Sequence, residues 1–316
     1  MDIERASKIS VFVGIDISKD KLDIHIKPLN EKLCIQRDEP SLSALVEKLK
    51  AFKVECIVVE ATGRYERLVV KYLRDFPIVV MNPRQIRDFA RAIGKLAKTD
   101  MLDAEVIAQF AETIRPDVRQ IHDHDQIKLK DLVTRRSQIL SFIVSEKVRL
   151  KQADTDDIIN NIKRTLEFLK HQLAEIDQHI EKSIDANDDQ RNICQIIQTV
   201  PGVGKVSSYN LLSHLPELGQ LTRKQIANLV GVAPINRDSG KLRGRRGIWG
   251  GKSEVRRALY MPALVATRHN AKLRTFYRKL IASGKAAKVA ITAVMRKLIV
   301  TLNAMVRDKI SWKEGV

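Results

Sequence analysis

Four carboxylates in the first third of the chain, Asp16, Glu60, Asp100 and Asp103, have the type and spacing to hold a divalent cation. Far downstream, Ser239 sits among arginines. Asp16 closes the apolar run that starts at Val11, and Glu60 closes Ile57-Val-Val. An acid at the end of an apolar strand is costly to bury unless it is paired or holds a metal. Asp100 and Asp103 lie in Lys98-Thr-Asp-Met-Leu-Asp-Ala-Glu105, and a spacing of three puts both on one face of a helix. Two strand ends with a helix laid across them can bring the four together. Oxygen-only ligands favour Mg2+ or Mn2+. Two such ions about 4 Å apart stabilise the attacking and leaving oxygens of a phosphoryl transfer. Each acid also has a plainer reading: Thr99 or Asp100 makes a fair helix N-cap, and Asp16 could cap a hairpin turn. The ordered set says more than any member. His122 and His124 stand close together, but no second ligand cluster accompanies them.

Ser239 belongs to a different kind of segment. From Arg237 to Arg257 there are eight Lys and Arg against two acids, and six glycines lie between 231 and 251. Arginine forks bind phosphate oxygens in pairs, and glycine lets a backbone approach a phosphate closely. Arg237, Lys241, Arg243, Arg245, Arg246 and Lys252 are therefore candidate phosphate contacts. A serine hydroxyl attacks only when a metal or a cluster of cations stabilises its alkoxide and the charged phosphorus centre. The metal would come from the carboxylate-bearing domain, of the same subunit or another. Plain hydrolysis discards the energy of a phosphodiester, whereas a phosphoserine keeps it and lets strands rejoin without ATP. On composition alone, Ser239 could equally be a turn residue in a basic clamp.

The elements that must position these residues fall into three segments. Residues 1–125 alternate strands and helices: a hairpin over 11–27, a helix from Ser41 to Phe52, a strand ending at Glu60, a helix from Tyr65 to Arg74, a strand from Pro77 to Met81, and a helix opened by Pro83. That pattern predicts an α/β domain with a largely covered sheet. In 126–190, Ile159, Ile162, Leu166, Leu169, Leu173, Ile176 and Ile180 repeat at 3 and 4, a heptad seam. A weaker version runs over 129–150, interrupted by Arg136 and Glu146, so a coiled-coil hairpin is predicted, as spacer or oligomerisation element. Residues 191–316 read as a basic, mainly helical domain. Within it, Thr199-Val-Pro-Gly-Val-Gly-Lys-Val-Ser207 looks like a helix-hairpin-helix turn. The backbone at Gly202 and Gly204, with Lys205, could face a phosphate there.

Charge follows the same division. Residues 191–316 hold 24 Lys and Arg against five Asp and Glu, a net +19, while residues 1–190 sum to −1, giving the chain's +18. An excess this one-sided points to a polyanion partner, nucleic acid before acidic membrane. No apolar run is expected to reach the roughly 18 residues of a membrane span, so no membrane is expected. The three cysteines offer no CxxC pair and fit a reducing cytoplasm.

Taken in order, Val-Gly-Ile-Asp16, Val-Glu60-Ala-Thr-Gly, Lys-Thr-Asp100-Met-Leu-Asp103-Ala, Val-Pro-Gly-Val-Gly, Gly-Val-Ala-Pro and Asp-Ser239-Gly resemble the DEDD transposases of bacterial insertion sequences, the IS110 family, which includes Piv-type DNA invertases. The likeness spans nearly the whole chain. It implies an RNase H-type, Holliday-junction-resolvase-like first domain, a coiled-coil connector and a C-terminal transposase domain. It implies Mg2+ on Asp16, Glu60, Asp100 and Asp103, and a covalent link between Ser239 and DNA. It further implies donor and target DNA as substrates, an element-encoded bridge RNA as guide, and dimers that pair into tetramers. Two rivals stay open: a junction nuclease that uses the acids and water alone, and a nucleic-acid-binding protein without catalysis.

Overall fold

The computed structural model describes residues 9–95, 100–117, 124–236, 238–239, 242–244 and 246–313, with the side chains at 100–102, 124, 238–239 and 242–243 outside the description. His122, Arg237, Lys241 and Arg245 thus lie outside the described residues, as do the side chains of Asp100, His124, Ser239 and Arg243. Two compact units divide the chain, Met1–Ile121 and His122–Val316.

The first unit is α/β. Strands β1 (Ser10–Ile17), β2 (Lys21–Lys27), β3 (Glu31–Gln36), β4 (Lys53–Glu60) and β5 (Ile78–Met81) form one sheet in the order β3-β2-β1-β4-β5. β1–β2 and β2–β3 are antiparallel, while β1–β4 and β4–β5 are parallel. Side chains alternate between the faces of a strand, so β1 serves two cores. Val11, Val13, Ile15 and Ile17 pack under α1 (Glu39–Lys50) and α2 (Glu66–Leu73), with Leu42, Leu45, Leu49, Val69 and Leu73. Each such side chain, when fully buried, contributes about 1.5–3 kcal/mol. Phe12 faces the other way, with Cys56 and Val58 of β4, under α3 (Pro83–Ala92) and α4 (Asp100–Ile114).

Gly14 decides how closely α4 lies on the sheet. A Cβ there would stand 2.2 Å from the Ala108 nitrogen and 2.4 Å from the Ala104 oxygen. The helix backbone therefore rests directly on β1. Its far end is marked by Arg115, whose guanidinium lies 5.3 Å from the centre of the Phe12 ring. α4 thus runs opposite to β1, with its first turn toward the C-terminal end of that strand. Lys27–Glu112 (2.7 Å) and Lys32–Glu105 (3.3 Å) stitch it to β2 and β3.

The second unit is mainly helical. α5 (His124–Leu150) and α6 (Asp156–Asp185) form an antiparallel helical hairpin around Ile139, Ile143, Ile162 and Leu166. Arg136, which breaks the apolar pattern, is explained by Asp177 on α6: Nε and Nη2 donate to its carboxylate at 2.6 and 3.4 Å. The base of the hairpin shares a core with α7 (Asp188–Gln198) and α8 (Lys205–His214), through Leu129, Val133, Ile180, Ile184, Cys194, Tyr209 and Leu212. The hairpin therefore groups with the second compact unit. The main core of this unit gathers α9 (Arg223–Val230), α10 (Ser253–His269) and α12 (Ala287–Asp308), with α11 (Ala271–Ala282) alongside. By length and composition α12 is apolar enough to cross a membrane, which corrects the reading that no stretch is. Leu298, Ile299, Leu302 and Val306 are the centre of this core, and that accounts for its composition.

Candidate active site

Glu60 ends β4 and Asp16 is the next-to-last residue of the neighbouring parallel β1, each one residue beyond the paired Ile15 and Val59. Alternation carries Phe12, Gly14 and Asp16 along one face of β1, and Cys56, Val58 and Glu60 along the same face of β4. Phe12, Cys56 and Val58 are in the core beneath α4. The two acids thus leave that core side by side, both half-buried. On α4, Val106 and Ile107 lie in the same core, and Asp103 sits one turn before them. The helix polarity puts Asp103 in the part of α4 nearer the C-terminal end of β1. Asp100 opens α4, and its side chain is outside the described residues. Among the described residues no three His, Cys, Asp or Glu side chains stand close enough to hold an ion. Asp16 and Glu60 therefore stand side by side on the sheet, and Asp103 stands on the helix that covers the same face, without the three closing into a ligand cluster among the described residues.

The corner is braced on both sides. Asp16 Oδ1 accepts from the Ile17 amide at 3.0 Å. Past Glu60, Glu66 Oε2 accepts from the amides of Thr62 and Arg64 at 3.2 and 3.0 Å, fixing the turn. Glu105 pairs with Lys95 and with Lys32, and these bonds hold its carboxyl below the usual range.

Two residues here escape sequence reasoning. Asp23 lies directly across from Asp16 on β2, only 3% exposed, with Lys21 Nζ 3.1 Å from its carboxylate. His25 lies across from Gly14, beneath α4 and 2% exposed. Neither ring nitrogen completes a well-formed hydrogen bond among the described residues, although the Asn30 side chain is within reach. The signal was available: polar residues alternate with Leu22, Ile24 and Ile26 on a strand covered on both faces.

Burial pulls the His25 imidazole below its ordinary 6.5, while the Glu105 charge pulls it up and Lys32 and Lys27 pull it down. A depressed folded-state value means the unfolded chain binds the proton more readily. Stability from this group is full above 6.5 and is lost as pH falls through 6.5 toward the folded value. Urea unfolding at about pH 7.5 and about pH 5.5 should show a larger acid loss for the parent than for His25→Gln. Equal losses would remove His25 from the acid sensitivity.

Ser239 stands on a short paired strand of a β-ribbon, whereas composition alone also allowed a turn residue in a basic clamp. β6 (Pro234–Ile235) pairs with β9 (Gly247–Ile248), and β7 (Asp238–Ser239) pairs with β8 (Leu242–Arg243). Ser239 is in register with Leu242, and Asp238 with Arg243. The ribbon is clamped at its base. A Cβ on Gly231 would meet the Gly250 oxygen at 2.2 Å, and one on Gly251 would meet the Gly231 nitrogen at 2.4 Å. Arg256 Nη1 donates to the Gly250 carbonyl at 2.6 Å and reaches those of Val230 and Gly231. Gly231 and Gly251 are thus needed for chain packing rather than for approach to a phosphate.

The other expected phosphate contacts divide. Arg246 is exposed on the ribbon. Lys252 is drawn inward: its ammonium donates to the His214 carbonyl at 3.1 Å and to Glu217 at 2.9 and 2.7 Å. That geometry gives it a structural role. Gly202 presses on α10, where a Cβ would meet the Ala266 nitrogen at 2.9 Å. Gly204 is the N-cap of α8, with open space at its Cβ position and no side-chain capping bond. Lys205 pairs with Glu181 at 3.0 Å, which raises its pKa. Tyr209 donates to the same carboxylate at 3.2 Å.

Two sequence-family models match the chain. One, a DEDD transposase model of the IS110 type, covers residues 13–153. The other, described as transposase of the IS116/IS110/IS902 family, covers 194–278. The pilin gene-inverting protein of Moraxella bovis is 25% identical over 94% of this chain and 96% of its own length. A protein of insertion element IS110 from Streptomyces coelicolor is 22% identical over 95% of each chain. The transposase for insertion sequence element IS1111A of Coxiella burnetii is 22% identical over 75% of this chain and 72% of its own.

Proposed function

The chain belongs to the IS110 family of transposases, and on that premise we propose that it is a Mg2+-dependent DNA recombinase that breaks and rejoins strands through a phosphoserine at Ser239. The observation that carries this reading is the placement of Asp16 and Glu60 side by side on neighbouring parallel strands, on the sheet face that α4, the helix of Asp100 and Asp103, covers. Strand order β3-β2-β1-β4-β5, antiparallel then parallel, supports an RNase H-type unit. Relatives named as a transposase and as a gene-inverting protein support donor and target DNA as the substrates. A bridge RNA as guide, a coiled-coil role for α5 and α6, dimers pairing into tetramers, and action in the cytoplasm complete the proposal.

Asp16, Glu60, Asp100 and Asp103 would hold the ion, and their all-oxygen donor set suits Mg2+ or Mn2+. When bound, Mg2+ supplies Lewis-acid stabilisation of charge on the phosphate. In the first step the Ser239 Oγ bonds to phosphorus, the bond to one deoxyribose oxygen breaks, and that oxygen takes up a proton as the serine gives one up. In the second, a hydroxyl of another strand attacks the phosphoserine and Ser239 leaves with a proton. The count of ester bonds is unchanged, so no ATP is required. Guanidinium groups of the ribbon would neutralise the phosphate oxygens in both steps.

The test is made in cells carrying the gene with its native flanking DNA. Circular excision junctions are assayed for the parent, Ser239→Ala and Asp16→Ala. Loss in both variants is expected. Junctions that survive Ser239→Ala would favour a nuclease that uses water. The ribbon gives a second expectation. Arg243, Arg245 and Arg246 contact phosphates, so replacing all three with alanine should flatten the dependence of log affinity on log salt by roughly three units, about 0.9 per contact. An unchanged slope on duplex DNA would reject that role.

A further inference from the structure

A groove of about 1110 Å3 lies in the second unit, between the first turn of α9, the exposed face of α12 and the tail after it. Its rim is cationic. Arg223, Lys224, Arg296, Lys297 and Lys313 line it, and among the described residues no carboxylate pairs with any of them; Arg307 alone is matched, by Asp308 at 2.8 Å. Its floor is apolar, from Val300, Ala304 and Met305. Two aromatic rings complete the wall. Phe276 has Lys297 Nζ 4.7 Å from its centre, and Trp312 has Lys272 Nζ 5.6 Å from its own.

The groove is fixed by the fold. Asn303 is 1% exposed; its Oδ1 accepts from the Gly219 amide at 2.9 Å and its Nδ2 donates to the Leu221 carbonyl at 2.7 Å. These bonds hold the start of α9, with Arg223, against α12. The Trp312 amide donates to Thr199 Oγ1 at 2.8 Å, which ties the tail to the turn before α8.

We propose that this groove binds unpaired nucleotides of a single nucleic-acid strand, with phosphates on the cationic rim and bases stacked on Trp312 and Phe276. The chemistry selects this occupant in three ways. A row of unmatched cations calls for a polyanion. Aromatic rings beside them stack on bases, and a base offers its face only where it is unstacked. The volume exceeds the roughly 300–1,000 Å3 of a small-molecule site, which suits an extended strand. A duplex would present phosphates to the rim and leave the apolar floor uncovered. The inference extends the nucleic-acid reading above and does not depend on the chemistry at Ser239.

The chain has two tryptophans, so the full chain with Trp249→Phe leaves Trp312 as the only reporter. Its fluorescence is followed during titration with short oligo-dT, oligo-U, a duplex of the same length, and polyglutamate. Both single strands should quench it and saturate, while duplex and polyglutamate should not. Tighter binding of oligo-U would identify RNA as the natural strand, and tighter binding of oligo-dT would identify DNA. By anisotropy, Trp312→Ala should weaken single-strand binding at least about fivefold, while Trp312→Phe keeps most of it. Arg296→Gln with Lys297→Gln should weaken it and flatten its salt slope. Absence of quenching by both single strands, or equal quenching by duplex or polyglutamate, would overturn the proposal. Excision junctions lost in Ser239→Ala alongside an intact Trp312 response would keep the two claims apart.

Discussion

A chain carrying Gly14→Ala is expected to form no excision junctions, although position 14 has no side chain and touches no substrate. The added methyl would stand 2.2 and 2.4 Å from backbone atoms of Ala108 and Ala104. A flexible side chain could swing away from such a contact; a helix backbone cannot. Overpacking a tight core costs about 1–3 kcal/mol, and a clash against backbone belongs at the upper end or beyond. Relief comes only if α4 lifts from β1. That movement carries Asp103 away from Asp16 and Glu60, and it strains Lys27–Glu112 and Lys32–Glu105. Urea unfolding of the full chain should show the lost stability, while oligonucleotide binding by the second unit should persist. Parent-like junction formation in Gly14→Ala would mean that the placement of α4 does not control the site.

The second large effect is that of Asp16→Asn. The change keeps the shape of the side chain and one carbonyl oxygen, so packing and the strand pairing with Asp23 should survive. What is lost is the charge that a divalent cation requires. Metal assistance supplies several kcal/mol of charge stabilisation, and each 1.36 kcal/mol is tenfold in rate. Strand cleavage should therefore fall roughly a thousandfold or more, with nucleic-acid affinity nearly unchanged, and chelation of Mg2+ should reproduce the loss in the parent. A variant that cleaves within tenfold of the parent would remove Asp16 from the chemistry.

Much of the first unit was legible because its chemistry and its hydrophobic pattern coincide. Asp16 and Glu60 interrupt apolar runs at their ends, and a charge in that position needs a reason. The spacing of Asp100 and Asp103 gave the helical face. What spacing could not give was the direction of α4, which rests on contacts between residues distant in sequence: Gly14 with Ala108, and Phe12 with Arg115. β3 escaped notice, although Leu33 and Ile35 alternate with polar residues, because an edge strand buries little. Asp23 and His25 are hard to read because the apolar alternation of Leu22, Ile24 and Ile26 predicts one polar, solvent-facing side, whereas β2 is buried on both faces. The seam of α6 was plain from its 3 and 4 repeat, whereas the tolerance of Arg136 depends on a partner 41 residues away.

The basic region was the least legible part. Its glycines suggested a loop open to phosphate, yet Gly231 and Gly251 press on one another, and Arg256 ties the chain around them. Lys252 counted as a phosphate contact until Glu217 and the His214 carbonyl accounted for its charge. The groove beneath Trp312 was invisible because its cations come from α9, α12 and the tail, three stretches with no shared motif. Composition reports how much charge a segment carries, and only packing decides which of it remains free.

The central claim is a covalent bond between Ser239 and DNA. The most direct measurement is denaturing separation of the protein after incubation with Mg2+, guide RNA and labelled donor and target DNA, followed by mass spectrometry of the peptide that carries the label. A nucleotide attached to the peptide containing Ser239, absent in Ser239→Ala and absent without Mg2+, is the expected result. Cleaved DNA with no protein attached, or an adduct that persists in Ser239→Ala, would contradict it.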